Sequence, residues 1–193
     1  ENAISVSEVI LPATITKIGI GAFSGCSNLL SIEIPKLVER IEEGTFENCT
    51  RLKKIIFNEN LFSIGSKAFL NCIMLSEVSF SNLEEIEENA FEGCKNLISV
   101  YLPSTIKKIG NNVFKDCIVL YNINIDSKAQ YKVVDGVLYS QDLSVLYEDL
   151  LKSQKRVIEI SASTILIKEK AFYGSMVTKV IISGKVTMEN NVF

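Results

Sequence analysis

The chain has 193 residues, of which 47% are apolar and 22% are charged, so a disordered chain is excluded and one domain with a sizeable core is expected. The net charge of −3 gives no footprint for nucleic acid, and no apolar run approaches the roughly 20 residues that span a bilayer. The chain contains no histidine, which removes Ser-His-Asp and Cys-His nucleophiles and most zinc sites. We therefore expect a protein that is not an enzyme, with no catalytic residue, no cofactor and no metal.

A repeat of 22 or 23 residues begins near the N-terminus. Its period is set by Phe23, Phe46, Phe69, Phe91 and Phe114. Three residues after each phenylalanine comes a cysteine, and these are all five cysteines of the chain: Cys26, Cys49, Cys72, Cys94 and Cys117. A leucine follows three residues later, at Leu29, Leu52, Leu75, Leu97 and Leu120. Such regular spacing indicates stacked coils that share one core.

Each repeat continues with two apolar residues spaced two apart, such as Ile32 and Ile34, which is typical of a strand with one buried face. Further isoleucines recur at Ile41, Ile64, Ile86 and Ile109. We expect one short strand, a turn and a short helical or irregular return in each repeat, hence an α/β-type right-handed solenoid with parallel strands on its concave side. Repeats are predicted over residues 1–125 and 157–193, within a single domain spanning 1–193.

The period breaks between these two blocks, over residues of about 126–156. Two apolar runs flank Asp135-Gly136 there, and Asp-Gly is a strong signal for a two-residue β-hairpin turn. This segment is interpreted as a β-hairpin island inserted between coils of the solenoid. The basic run from Lys152 to Arg156 is assigned to the connection back to the repeats.

The repeat resembles the BspA-like class of leucine-rich repeats. That class has the pattern C-x-x-L-x-x-I-x-[IL]-P-x-x-[IV]-x-x-I-x-x-x-[AT]-F-x-x-C, which Cys94 to Cys117 follows nearly residue for residue. The stretch "DGVLYS-x-D" at Asp135 to Asp142 is similar to the hairpin that interrupts repeats in that class. The resemblance implies a secreted or cell-surface protein that adheres to host or matrix proteins and to other cells. The family pattern has a proline after each strand, whereas this chain has one only at Pro12, Pro35 and Pro103. This difference concerns the turns and leaves the predicted architecture unchanged.

The cysteines are interpreted as buried, free thiols that fill one inward position in each coil. A reactive thiol needs an activating base or a positive field, and histidine is missing. Zinc sites need paired ligands, whereas each cysteine stands alone in its repeat. A ladder of disulfides is the weaker alternative, since five is an odd number.

Residues that alternate with the buried strand positions should point outward from the concave sheet and recognise a ligand. Exposed aromatic and apolar side chains among polar ones suit recognition of protein. Tyr101 and Tyr121 are the best individual candidates. The candidate ligand-binding residues are Glu33, Lys54, Ile56, Glu77, Ser79, Tyr101, Tyr121, Asn122, Asn124, Lys179 and Ile181.

Three classes of function remain open from the sequence. The favoured one is a non-catalytic adhesion or binding protein at the cell surface or secreted, with a protein or glycan ligand. The first alternative is an intracellular scaffold for protein–protein interaction, which free thiols would suit. The least favoured is an accessory domain of an enzyme. The chain starts at Glu1 without a signal segment and both ends stop inside a repeat, so we expect a longer natural chain.

Overall fold

The computed structural model describes residues 3–152 and 154–193, and within these ranges every regular element is a β-strand. The predicted domain start at residue 1 and residue 153 of the predicted island lie outside the described residues. The strands are β1 (Ser31–Glu33), β2 (Arg40–Ile41), β3 (Lys54–Ile56), β4 (Ser63–Ile64), β5 (Glu77–Ser79), β6 (Glu85–Ile86), β7 (Ser99–Leu102), β8 (Lys108–Ile109), β9 (Asn122–Ile125), β10 (Tyr131–Val134), β11 (Val137–Ser140), β12 (Val145–Asp149), β13 (Val157–Ile160), β14 (Leu166–Ile167), β15 (Lys179–Ile182) and β16 (Thr187–Met188).

Apart from the antiparallel pairs β10-β11 and β11-β12, the strands stack in parallel, one rung above the next, to form a β-solenoid of about 7 turns. The first strand row contains the sheets β1-β3, β5-β7-β9 and β13-β15. Equivalent residues of successive repeats are partners, as in the pairing of Val78 with Val100 and of Val100 with Ile123. The inward residues of β1, β3, β5, β7 and β9 therefore form one continuous apolar column, as the period-two pattern predicts.

A second strand row, β2-β4-β6-β8, lies on another side of each coil. Its inward residues are the recurrent isoleucines, with Ile41 paired to Ile64 and Ile64 paired to Ile86. Each strand of this row is only two residues long, so the sequence shows a single apolar position with no alternation. Each coil in this part of the chain thus contributes two short strands.

The return segment of each repeat was predicted to be helical or irregular. It consists of tight turns, so the predicted α/β class is wrong for the described residues. The residue before each cysteine has a positive φ, between 59° and 73°, and a helix cannot continue through it. These residues are Gly25, Asn48, Asn71, Gly93 and Asp116. Glycine, asparagine and aspartate tolerate this conformation, which explains the small or polar residue at that position of every repeat.

The phenylalanines of the turns stack as a ladder through the core. Ring centroids of Phe46 and Phe69 are 5.2 Å apart, those of Phe69 and Phe91 are 5.0 Å apart, and the planes are within 9° of parallel. Phe46, Phe69 and Phe91 are completely buried. Each repeat of 22 or 23 residues therefore adds one ring to this stacked column.

The cysteines form a second column beside the rings. All five are free and buried, which confirms the prediction from the sequence. Each thiol from Cys49 onward donates to the backbone carbonyl of a phenylalanine one coil earlier, at 3.1–3.2 Å. Burial raises the pKa of the Cys49 and Cys117 thiols to about 12, and it raises the pKa of Cys72 and Cys94 well above the usual value. Such thiols remain protonated and unreactive near neutral pH.

The segment after β9 is built into the solenoid. Strands β10 and β11 are antiparallel around Asp135-Gly136, both with positive φ, as the Asp-Gly signal predicts. However, the prediction of an inserted island is not supported, because β12 pairs in parallel with β14 and the segment completes the five-stranded sheet β10-β11-β12-β14-β16. Leu138 and Leu150 belong to the main core. Hydrogen bonds from Ser140 and Ser144 fix the next turn and lower the pKa of Asp142 to about 2.

Candidate functional site

The outward strand face is the solvent-facing side of strands β1, β3, β5, β7 and β9. Side chains alternate along each strand, so the inward Val100 is buried whereas Tyr101 is 42% exposed. The same alternation exposes Glu77 and Ser79 on either side of the buried Val78. Strands such as β1 and β5 thus present two outward side chains in each rung, at the spacing of neighbouring strands.

The centre of the outward strand face is a shallow trough of about 470 Å³. The trough brings together Lys54, Glu77, Ser79, Tyr101, Asn122 and Asn124 of the predicted residues. Lys53 and Ser76, which immediately precede strands, also line it and were not predicted. Their signal in the sequence is weak, because they lie outside the two-residue alternation that marks the strand.

A second trough of about 530 Å³ adjoins the first and shares Lys54 with it. It contains the predicted residues Glu33 and Ile56, together with Ile10 from the segment before β1. Ile10 is 86% exposed and Ile56 is 44% exposed, so this end of the outward strand face is the more apolar one. The two troughs form a continuous surface along the stacked rungs.

Two tyrosines stand at the other end of the outward strand face. The Tyr101 hydroxyl donates to Asp126 Oδ2 at 3.3 Å, which orients the ring across the rungs. Tyr121 is 74% exposed and lines a separate hollow of about 400 Å³ with Val133 and Leu151 of the hairpin segment. Tyr101 in the first trough and Tyr121 in the neighbouring hollow provide aromatic contact area for a partner.

Lys179 and Ile181 are not brought to this surface. They lie on β15, whose sheet contains only β13 and β15. The hairpin segment interrupts the first strand row between β9 and β13, so the predicted stripe is divided. Among the candidate residues, these two therefore stand apart from the others.

The outward strand face offers hydrogen-bond donors, acceptors and aromatic surface. Within residues 3–152 and 154–193, no group of three or more His, Cys, Asp or Glu side chains could hold a metal ion. The thiols are buried in the core, away from this face. The arrangement can bind a ligand non-covalently.

A buried polar network was missed from the sequence. Asp149 is completely buried, and it accepts hydrogen bonds from Arg156, from Ser175 Oγ at 2.5 Å and from the Leu151 backbone N–H at 3.0 Å. Lys152, assigned from the sequence to a basic connection, is also buried and pairs with Glu148. Nothing in the local sequence distinguishes these charges from solvated ones.

The sequence model described as "BspA type Leucine rich repeat region" matches residues 1–131 in 6 copies. The chain belongs to the BspA-type leucine-rich repeat family. The six copies cover the stacked coils that build the outward strand face. Repeat proteins of this kind expose an extended surface along the stack.

Solved structures share the fold of this BspA-type chain. A leucine-rich repeat protein from Eubacterium ventriosum has a TM-score of 0.79 and 22% identity, over 95% of this chain and 49% of its own. The leucine-rich repeat protein of T. pallidum has a TM-score of 0.59 and 23% identity, over 93% and 72%. The pneumococcal vaccine antigen PcpA has a TM-score of 0.60 and 24% identity, over 79% and 44%. The chain thus spans about half the length of the first of these proteins.

No match was found among curated proteins. Of the part of the chain that the structure describes, no helix is long and apolar enough to cross a membrane.

Proposed function

We propose that this BspA-type chain is a non-catalytic binding module that recognises a protein or glycan ligand through its outward strand face. The observation that carries the proposal is the continuous pair of troughs, in which exposed Ile56 and Tyr101 stand among serine, asparagine and charged side chains. Interface centres are enriched in aromatic residues, with polar groups around them. Parallel pairing of the strands beneath fixes the backbone positions of these side chains, and such pre-organisation lowers the cost of binding.

A location at the cell surface or outside the cell is part of the same proposal. One protein that shares the fold is described as a pneumococcal vaccine antigen, which supports an exposed location. The solenoid presents its outward strand face over several rungs, which suits contact with a large partner such as a host or matrix protein.

The binding test compares the wild-type chain with a double variant, Tyr101→Ala plus Tyr121→Ala. The wild-type chain is screened by biolayer interferometry against immobilised extracellular-matrix proteins and oligosaccharides. For a ligand that binds, the double variant should weaken Kd by at least about 30-fold, because buried interface tyrosines are frequent hot spots.

The matched control is Tyr173→Ala. Tyr173 is 59% exposed, but it lies in a turn outside the outward strand face. This variant should bind as tightly as the wild-type chain. If the double variant also keeps wild-type affinity for a confirmed ligand, the outward strand face is not the binding surface.

A further inference from the structure

A buried lysine, a buried glutamate and a half-buried asparagine meet where the hairpin segment packs on the last coil before it. The Lys152 and Glu148 side chains are only 3% and 7% exposed, with 2.8 Å between Lys152 Nζ and Glu148 Oε1. Lys152 Nζ also donates to Asn112 Oδ1 at 2.9 Å and to the Tyr173 carbonyl at 2.9 Å. The amine is thus held against a side-chain amide and a carboxyl group at once.

Glu148 orients both of its neighbours. Its Oε1 accepts the Asn112 backbone N–H at 3.0 Å as well as the contact from Lys152. In the preceding coil the equivalent residue, Asn89, donates its N–H to the Asn111 carbonyl instead. Glu148 therefore takes the place of a backbone carbonyl that the next coil would have provided.

The surroundings are tightly packed. The buried Val113, Phe114 and Leu150 line the small space between the three side chains together with Lys115 and Asp149, and that space has no room for a water molecule. Lys152 and Glu148 are buried, whereas Asn112 is half-buried. Burial raises the pKa of the Glu148 carboxyl above its usual value, against the opposing effect of the Lys152 ammonium. A buried carboxyl of this kind can hold the proton that a neighbouring ammonium gives up.

We propose that Lys152 Nζ and Asn112 Cγ form an intramolecular isopeptide bond, with Glu148 transferring the protons. A C=O bond is about 1.2 Å long, so Cγ lies within about 4 Å of Nζ. Reacting atoms in productive complexes are about 3–3.5 Å apart, so a movement of the Lys152 side chain by roughly 1 Å brings Nζ to that distance from Cγ.

The reaction balances without an oxidant or a cofactor. The Glu148 carboxylate takes one proton from the Lys152 ammonium, and the neutral amine attacks Cγ, which pushes the C=O π pair onto Oδ1. When that pair returns, the Cγ–Nδ2 bond breaks and Nδ2 leaves as ammonia with a proton from the Glu148 carboxyl. The carboxylate so formed takes the proton released by Nζ. The products are a secondary amide, one ammonia molecule and protonated Glu148.

The bond would tie the hairpin segment to the coil before it. It closes the chain between residues 112 and 152, a span that includes β9, β10, β11 and β12. A covalent link across a long loop restricts the unfolded chain, as a disulfide does. This modification is independent of the proposed ligand-binding role of the outward strand face.

The test is intact-mass spectrometry of the purified chain. The wild-type protein should be lighter than its sequence mass by one ammonia, and proteolysis should release a branched peptide that joins residues 112 and 152. Lys152→Arg, Asn112→Gly and Glu148→Gln should each have their full sequence mass. Glycine is chosen at position 112 because Asn112 has a φ of 57°.

Two controls separate this bond from other losses of ammonia. Lys115→Arg changes a lysine whose partner is the Glu92 carboxylate, and Asn89→Gly changes the equivalent asparagine of the preceding coil, so both should retain the mass loss. A wild-type chain that melts cooperatively yet has its full sequence mass would overturn the proposal. A loss of ammonia that persists in Lys152→Arg would overturn it equally, because the reaction then lies elsewhere.

Discussion

Replacing Phe69 by alanine should lower the free energy of unfolding by about 3–5 kcal/mol. Phe69 is completely buried in the ring ladder between Phe46 and Phe91, and the edge of Phe57 contacts it at a centroid distance of 5.9 Å. Removing the ring leaves a cavity that rigid coils above and below cannot close. Urea denaturation followed by circular dichroism measures the change.

The control for this prediction is Phe62→Ala. Phe62 is 41% exposed and lies outside the ring ladder, so its loss should cost about 1 kcal/mol or less. Equal destabilisation by the two substitutions would contradict the assignment of the phenylalanine column as the main source of stacking stability.

The second large effect is expected from Asp149→Ala, which should destabilise the chain by about 3–5 kcal/mol. Asp149 is completely buried, whereas its partner Arg156 has 17% of its side chain exposed. Without the carboxylate, the guanidinium stays in the core with no opposite charge, and Ser175 Oγ loses its acceptor. The loss should appear as a lower urea midpoint with an unchanged denaturant slope.

An exposed ion pair provides the comparison. Lys36 and Glu59 are in contact at 2.8 Å but are 70% and 63% exposed. Glu59→Ala should therefore leave the urea midpoint nearly unchanged, because solvent screens this pair. If Asp149→Ala is as mild as Glu59→Ala, the buried network does not stabilise the fold.

The sequence predicts the stacked core well, because every coil repeats the same inward residues. The spacing of Phe69, Cys72 and Leu75 recurs in each repeat, so their shared burial follows from the period. The second strand row was not predicted, since one isoleucine such as Ile64 per two-residue strand leaves no alternation to detect.

Interactions distant in sequence set the features that the sequence did not predict. The Asp135-Gly136 turn is local, and it was predicted, but the pairing of Val145 with Leu166 that builds the hairpin into the solenoid is not local. The burial of Lys152 likewise depends on Asn112 and Tyr173, which lie far away along the chain. Local composition therefore placed Lys152 in a basic connection between repeats, and the structure shows that this lysine is buried.

Only the local part of the candidate surface, which residues of a strand point outward, could be predicted from the sequence. Alternation along a single strand predicts that Tyr101 is exposed. Whether Lys179 shares a surface with Tyr101 depends on how many rungs stack without interruption, and the hairpin segment interrupts the row after β9.

The repeated apolar residues, the cysteines included, build the buried scaffold and are not available to react with molecules in solution. Thiol labelling with a maleimide in native buffer and in urea tests this central claim most directly. The account predicts that Cys72 and Cys94, which are completely buried, remain unlabelled in the native chain and react fully when it is unfolded. Rapid labelling of either one in a chain that still melts cooperatively would contradict it.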